Sequence, residues 1–209
     1  MSQDELTRII QISVVGALAV GLVYVYVQKL SLLSFSALGG FSTGLSVVTL
    51  FWVFYFRWGW RWPILSKLFN KPDLNGTWLG TLTSDWKDPN GRGVEPKDFV
   101  IVVRQSFLYL HFVTFTDSFI AFSYAERFWT DAERGIKKVV YLYGQDCTTL
   151  GEEGNREGAT ELRVEGEPPL CLIGRYWSNT KTNGRIEVRR ISKKHVDSFA
   201  EAIATKRRK

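Results

Sequence analysis

The run from Leu38 to Phe56 constrains this chain most, because its nineteen residues carry no charge. A helix rises about 1.5 Å per residue, so nineteen residues span roughly 28 Å, close to the hydrocarbon thickness of a bilayer. Directly after the run, Trp58, Trp60 and Trp62 alternate with arginines, as at a membrane boundary. The run therefore predicts a membrane-spanning helix, with a buried helix of a globular core as the alternative.

A second run, Ile9 to Val27, is also nineteen residues long and has only Gln11 and Ser13 as interior polar groups. A secretory signal peptide is the competing interpretation. Against it, acidic residues precede the run and no small-residue cleavage site ends it. We expect a hairpin over residues 1–72, with spans at about 9–27 and 38–56.

Basic residues set the expected orientation of this hairpin. Arg57, Arg61, Lys67 and Lys71 follow the second run closely, and such positive flanks stay in the cytoplasm. The prediction is a multi-pass membrane protein with both termini cytoplasmic.

The second run also has a face of small residues. Gly40, Gly44 and Ser46 allow close approach of another helix backbone. The partner is either the first helix of the same hairpin or a helix of another chain, in which case these residues serve oligomerisation. The sequence leaves both possibilities open.

The remainder of the chain has the composition of a folded domain, with 45% apolar and 14% aromatic residues overall. The net charge of +6 does not indicate binding to duplex nucleic acid, because residues 73–191 carry fifteen Lys and Arg against seventeen Asp and Glu. The basic excess lies in the membrane flanks and in the Lys206 to Lys209 tail.

Few residues suit catalysis or metal binding. Cys147 and Cys171 are too few for a disulfide framework and favour a reducing compartment. His111 and His195 do not suggest a metal cluster or a catalytic triad. We therefore expect neither an enzyme nor a cofactor.

From Asn75 onward, short β-rich runs alternate with Gly, Pro, Asn and Asp clusters. Eight such runs predict an antiparallel, lipocalin-like barrel over residues 73–192, and eight strands close around packed side chains or one small ligand. The expected strands are 76–84, 97–105, 107–115, 119–128, 136–143, 157–165, 170–178 and 184–191.

Alternation along these strands predicts which side chains face inward. Several inward positions are polar, and buried polar groups need partners. The inward polar set is Gln105, Tyr141, Tyr143, Thr160, Tyr176 and Arg190. Arg190 stacked on Trp78 could close one end of the barrel, and the tyrosines could be ordinary core residues. Alternatively, these groups form a pocket for a planar, anionic ligand such as a nucleotide.

The segment Ser192 to Thr205 has apolar residues at helical spacing and predicts a short amphipathic helix capped by Ser192. Together with the tail it makes up residues 193–209. The basic end is either solvated or attracted to anionic lipid headgroups.

Seven short segments of the chain, in the order in which they occur, match the motifs of a known family. They are Leu74 to Gly80 (Leu-Asn-Gly-Thr-Trp-Leu-Gly), Val103-Arg104-Gln105, Thr114 to Ala125, Val139 to Tyr143, Gly158 to Leu162, Leu172 to Tyr176 with Thr180 behind it, and Gly184 to Val188. With the hairpin in front of them, these segments resemble the two-transmembrane, β-strand-rich effectors associated with CD-NTases in bacterial anti-phage (CBASS) defence.

The resemblance implies a barrel that senses a cyclic dinucleotide made by a partner nucleotidyltransferase. Binding would drive self-assembly of the membrane segments, so that the inner membrane loses integrity and the infected cell dies. Two departures bear on which ligand binds: the hydroxyl-rich run before the fourth strand is thin, and the His expected before Gly158 is absent.

Such a ligand needs cationic groups for its phosphates and aromatic or amide groups for its bases. The candidate ligand-binding residues are Arg190, Tyr141, Tyr143, Tyr176 and Gln105, followed by Trp78, Thr116, Ser118 and Thr180. The alternative functions are a membrane-tethered, lipocalin-like carrier of lipids or small molecules, and a protein-binding scaffold with a filled core.

Overall fold

The computed structural model describes residues 3–31, 35–131, 133–146 and 156–207. The chain forms two compact units. The first comprises Met1–Lys71 with Ser106–Leu108, and the second comprises Pro72–Gln105 with Tyr109–Lys209. The predicted boundary near residue 72 agrees with this division, but the inclusion of residues 106–108 in the first unit was not expected.

The first unit contains two long helices, α1 (Gln3–Val27) and α2 (Phe35–Arg57). Both are long and apolar enough to cross a membrane. Helix α1 begins six residues before the apolar run, so Asp4 and Glu5 lie in its first turn. Acidic groups there interact favourably with the positive end of the helix dipole.

Small residues bring α1 and α2 of the same chain together. A Cβ atom on Gly44 would overlap the carbonyl oxygen of Ala17, and one on Gly40 would lie 3.0 Å from the Gly21 oxygen. Gly40 and Gly44 are therefore occupied by packing within the hairpin, which corrects their proposed role in contacts between chains. Ser46 is exposed, and its Oγ donates to the Ser42 carbonyl oxygen of its own helix (3.0 Å).

An aromatic cluster follows the end of α2, where two short 3-10 segments, Gly59–Arg61 and Leu65–Leu68, turn the chain. Trp60 is buried there, at 1% exposure, so only Trp58 and Trp62 of the expected boundary belt remain exposed. Phe107 also belongs to this cluster, and its ring centroid lies 5.0 Å from that of Phe69. Lys71 Nζ donates to the Phe107 carbonyl oxygen over 2.7 Å.

The second unit is a closed barrel of eight antiparallel strands in sequence order, as the sequence predicted. Each strand pairs with its neighbours along the chain, and β1 pairs with β8 to close the sheet. The strands are β1 Gly76–Ser84, β2 Lys97–Gln105, β3 Leu110–Phe115, β4 Ile120–Asp131, β5 Ile136–Asp146, β6 Glu157–Glu165, β7 Cys171–Ser178 and β8 Asn183–Ser192. Strand β3 begins at Leu110 rather than at residue 107, because Ser106–Leu108 belongs to the first unit.

Two apolar clusters pack on opposite faces of the barrel wall. The interior cluster includes Trp78, Ile101, Val139, Leu162 and Val188, all on the inward parity expected from the sequence. Outside the wall, α3 (Phe199–Arg207) packs through its apolar residues against residues of β1 and β2. The short C-terminal helix therefore covers part of the outer surface.

Helix α3 begins six residues later than a helix capped by Ser192 would. The Ser192 Oγ accepts a hydrogen bond from the Lys194 backbone N–H (3.0 Å) in a local turn, so Ser192 does not cap the helix. The cap is Ser198, whose Oγ accepts from the Glu201 backbone N–H (3.2 Å).

We predict that Gly44→Ala lowers the melting temperature of the full-length protein in detergent, whereas Gly39→Ala does not. Replacing Gly by Ala inside a helix contributes about 0.5 to 1 kcal/mol, but an extra carbon in a packed interface costs about 1 to 3 kcal/mol. A Cβ on Gly39 meets nothing closer than Tyr24 Oη at 3.9 Å. Equal melting temperatures of the two variants by circular dichroism would contradict this packing.

Candidate functional site

One end of the barrel is closed by the segment that leads into β1. Leu74 donates its backbone N–H to Gln105 Oε1 (2.7 Å), and Gln105 Nε2 donates to the Pro72 carbonyl oxygen (3.0 Å). Trp78 Nε1 donates to the Leu74 carbonyl oxygen over 2.9 Å. These bonds fasten the segment across the barrel end.

Arg190 completes this closure. Its guanidinium carbon lies 4.6 Å from the centroid of the Trp78 ring, and Nη2 donates to the Asp73 carbonyl oxygen. The Arg190 guanidinium thus stacks on Trp78 and closes this end of the barrel, which is one of the two alternatives that the sequence left open. Trp78, Gln105 and Arg190 do not line the cavity described next, which moves all three from the ligand-binding set to the closed end.

The other end of the barrel holds a cavity of about 510 Å³, within the usual range for small-molecule sites of roughly 300 to 1,000 Å³. Its walls come from the ends of β1, β3, β5 and β7 and from the beginnings of β2, β4, β6 and β8. The polar lining residues are two serines, five threonines, three tyrosines and one glutamine: Ser84, Thr114, Thr116, Tyr141, Tyr143, Gln145, Thr160, Tyr176, Ser178, Thr180 and Thr182.

Three tyrosines form the aromatic wall that the sequence predicted. Tyr141 stacks on Phe112 with ring centroids 4.3 Å apart. Tyr143 and Tyr176 lie opposite Gly158 and Gly184 on the adjacent strands, and a Cβ on either glycine would overlap the facing ring. Gly158 and Gly184 therefore make room for the rings of Tyr143 and Tyr176.

The three phenols are neutral at physiological pH, as tyrosines ordinarily are, and burial moves each pKa further from that range. Burial raises the pKa of Tyr143 to about 12 and also raises the pKa of Tyr176. The pKa of Tyr141 is raised by burial as well, against a smaller opposing effect of its hydrogen bond with Thr160. Neutral hydroxyls at physiological pH do not repel an anionic ligand.

Hydroxyl groups surround the tyrosines. Thr114, Thr116 and Thr160 are buried. Ser178 Oγ lies 2.7 Å from both Thr180 Oγ1 and Thr182 Oγ1 at the turn between β7 and β8. Thr116 and Thr180 thus line the cavity as expected. Ser118 does not, because it is exposed and its Oγ donates to Asp117 Oδ1 (2.9 Å).

The mouth of the cavity carries charges that the sequence analysis did not select. Lys97, Arg156 and Glu95 contribute to the lining. Lys97 Nζ lies 3.9 Å from Asp117 Oδ1, with both side chains largely exposed. Arg156, immediately before β6, is also exposed. The sequence analysis also missed Gln145 as a lining residue. It could have been found, because Gln145 continues the inward alternation of Tyr141 and Tyr143 along β5.

His111, His195 and Cys171 do not line this cavity. His111 Nδ1 contacts Glu126 Oε1 (3.1 Å), and His195 Nε2 contacts the Val103 carbonyl oxygen (3.0 Å). Cys171 is half-buried, and Cys147 lies outside the described residues. No cluster of three or more potential metal-ligating side chains occurs in the part of the chain that the structure describes.

Comparison with known proteins adds no family assignment. No protein-family model and no curated protein matches this chain. The resemblance to CBASS effectors therefore depends on the motifs in the sequence and stays a prediction. The cavity itself supplies the independent argument about function.

We predict that Arg190→Ala lowers the unfolding free energy by about 2 to 3 kcal/mol, because it removes a cation–π contact and a charge-assisted hydrogen bond. Arg185→Ala is the control, since Arg185 is exposed and pairs with Glu187 over 3.4 Å; such a pair contributes at most about 1 kcal/mol. Urea unfolding of the full-length protein in detergent measures both. Unchanged stability of Arg190→Ala, together with lost ligand binding, would restore Arg190 as a ligand contact.

Proposed function

We propose that this protein is a membrane-anchored effector of anti-phage defence whose barrel binds a cyclic dinucleotide. The observation that carries the proposal is the cavity, which combines neutral tyrosine rings, many hydroxyls and a mouth with two cations. This chemistry matches a ligand that offers flat bases, ribose hydroxyls and phosphates. The motif resemblance supports the same ligand class.

Each part of such a ligand has a suitable group in the cavity. Bases stack on aromatic side chains, for which Tyr141, Tyr143 and Tyr176 are the candidates. Phosphates accept charge-assisted hydrogen bonds from cations, and Lys97 and Arg156 replace Arg190 in this role. Thr116 and Thr180 remain candidates for contacts with the sugar or phosphate oxygens.

A lipid carrier is less consistent with this lining. Apolar side chains such as Leu82, Phe99 and Ile186 also line the cavity and could contact an acyl chain. The open end, however, presents hydroxyls from five of the strands or the turns that follow them, and an acyl chain forms no hydrogen bonds with hydroxyls. Lipid binding is therefore an outcome for the binding experiment to exclude. The proposed role of the cavity is recognition of a ligand rather than catalysis.

The membrane part of the proposal rests on α1 and α2. Both are long and apolar enough to span, and the basic residues that follow α2 favour a cytoplasmic location of the barrel and of both termini. Two helices cannot enclose a pore, so disruption of the inner membrane requires several chains. Ligand binding would promote that assembly only to the extent that the assembled state binds the ligand more tightly.

We predict that a cyclic dinucleotide raises the melting temperature of the full-length protein in detergent, whereas oleate does not. The probes are cyclic di-AMP, cyclic di-GMP and cyclic UMP-AMP. Lys97→Ala and Arg156→Ala should each weaken binding by roughly ten- to a hundredfold, the usual effect of losing a charge-assisted contact.

Lys138→Ala is the matched control for these two variants, because Lys138 pairs with Glu161 (2.6 Å) and does not line the cavity. It should bind as the wild type does. Stabilisation by oleate alone would replace the proposed ligand with a lipid.

We further predict that the same nucleotide converts the full-length protein in liposomes from small species to large assemblies and releases an encapsulated dye. Ser46→Leu tests contacts between chains, because Ser46 is exposed on α2 and is not occupied by packing within the hairpin. It should reduce dye release without changing nucleotide affinity. Dye release by a protein that crosslinking shows to be monomeric would disprove assembly as the switch.

A further inference from the structure

Gln145 lines the cavity from the end of β5, and strand pairing on both sides fixes its backbone. It pairs with Ala121 of β4, and its N–H donates to the Arg156 carbonyl oxygen over 2.8 Å. Its side chain has the same inward parity as Tyr141 and Tyr143. The amide is therefore held at the aromatic wall, beside one of the two cations of the mouth.

The side-chain oxygen of Gln145 is buried and accepts no hydrogen bond from any described residue. A buried acceptor without a partner is unfavourable, and native proteins rarely leave one without a reason. The cavity is a polar site at which an incoming ligand can supply the missing donor.

Neighbouring polar groups of the cavity differ from Gln145 because they have partners within the protein. The Thr116 hydroxyl oxygen accepts a hydrogen bond from the Phe119 backbone N–H (3.2 Å). The Ser178 hydroxyl is within hydrogen-bonding distance of two threonines. A ligand gains little specificity from groups that already have hydrogen-bond partners. A donor on the ligand would instead give the buried Gln145 oxygen the hydrogen bond that it lacks.

We infer that Gln145 Oε1 accepts a hydrogen bond from an N–H group on a base of the bound nucleotide, and so determines which bases the cavity admits. This inference rests on the proposed function, because it assigns a role within the same ligand site. Adenine, guanine and cytosine offer amino groups, and uracil and guanine offer a ring N–H. A base without a donor at the contact position leaves the oxygen unsatisfied and is rejected.

The test measures binding of cyclic di-AMP, cyclic di-GMP and cyclic UMP-AMP to the full-length wild type and to Gln145→Met in detergent. Methionine has a similar length and no acceptor of comparable strength. We expect the tightest of these ligands to bind Gln145→Met about ten- to a hundredfold more weakly. Lys138→Ala is the control here too, since Lys138 pairs with Glu161 and does not line the cavity, and its affinity should change less than about threefold.

A second measurement needs no variant and remains decisive if Gln145→Met does not fold. The wild type is compared for the tightest ligand and for its analogue in which the donor groups of the bases are replaced by hydrogen or methyl. The analogue should bind at least tenfold more weakly. Equal affinities for both, or unchanged affinity of a folded Gln145→Met, would overturn the role of Gln145 while leaving the proposed function intact; no binding of any of the three nucleotides to the wild type would remove both.

Discussion

Closure of the eight-stranded sheet is the constraint on which the barrel unit depends. Once β1 pairs with β8, every second side chain of every strand must share one narrow interior. That interior is filled with apolar side chains through its middle. Only its two ends can differ in chemistry. One end is closed by Arg190, Trp78 and Gln105 around the incoming segment, and the polar residues at the other end line the cavity.

Strand alternation explains why so much of this barrel could be predicted from the sequence. The bounds of β1, β2 and β6 agree with the predicted runs at both ends, because Gly, Pro and Asn clusters flank them and the apolar period is two. The same alternation identified Tyr141, Tyr143 and Tyr176 as inward residues. Parity, however, says only which face a residue occupies. It does not say how far along the barrel axis the residue lies.

Position along the barrel axis separates the candidate residues that line the cavity from those that close the other end. Arg190 and Tyr176 share the inward parity, yet Arg190 pairs with Trp78 near the beginning of β1, whereas Tyr176 pairs with Gly184 at the beginning of β8. Axial position depends on register around the whole closed sheet, which is a long-range property. The same limit applies to Lys97 and Arg156, which look like ordinary surface charges until pairing places them at the mouth. Phe107 was assigned to a strand because its neighbours are apolar, although its ring packs in the other unit.

Both the hairpin and the cavity are already formed in the absence of a ligand. Gly40 and Gly44 are occupied by packing within the hairpin, so the proposed assembly of chains would use the other surfaces of α1 and α2. The cavity is similarly preformed, because half of its hydroxyls already have partners within the protein. Little reorganisation is then needed when a ligand enters, which favours affinity. Affinity alone does not produce a switch, since a ligand shifts assembly only through a difference in affinity between the free and assembled states. In the proposed assembly, that difference would have to come from groups that a second barrel can reach, and Lys97 at the mouth of the cavity is exposed.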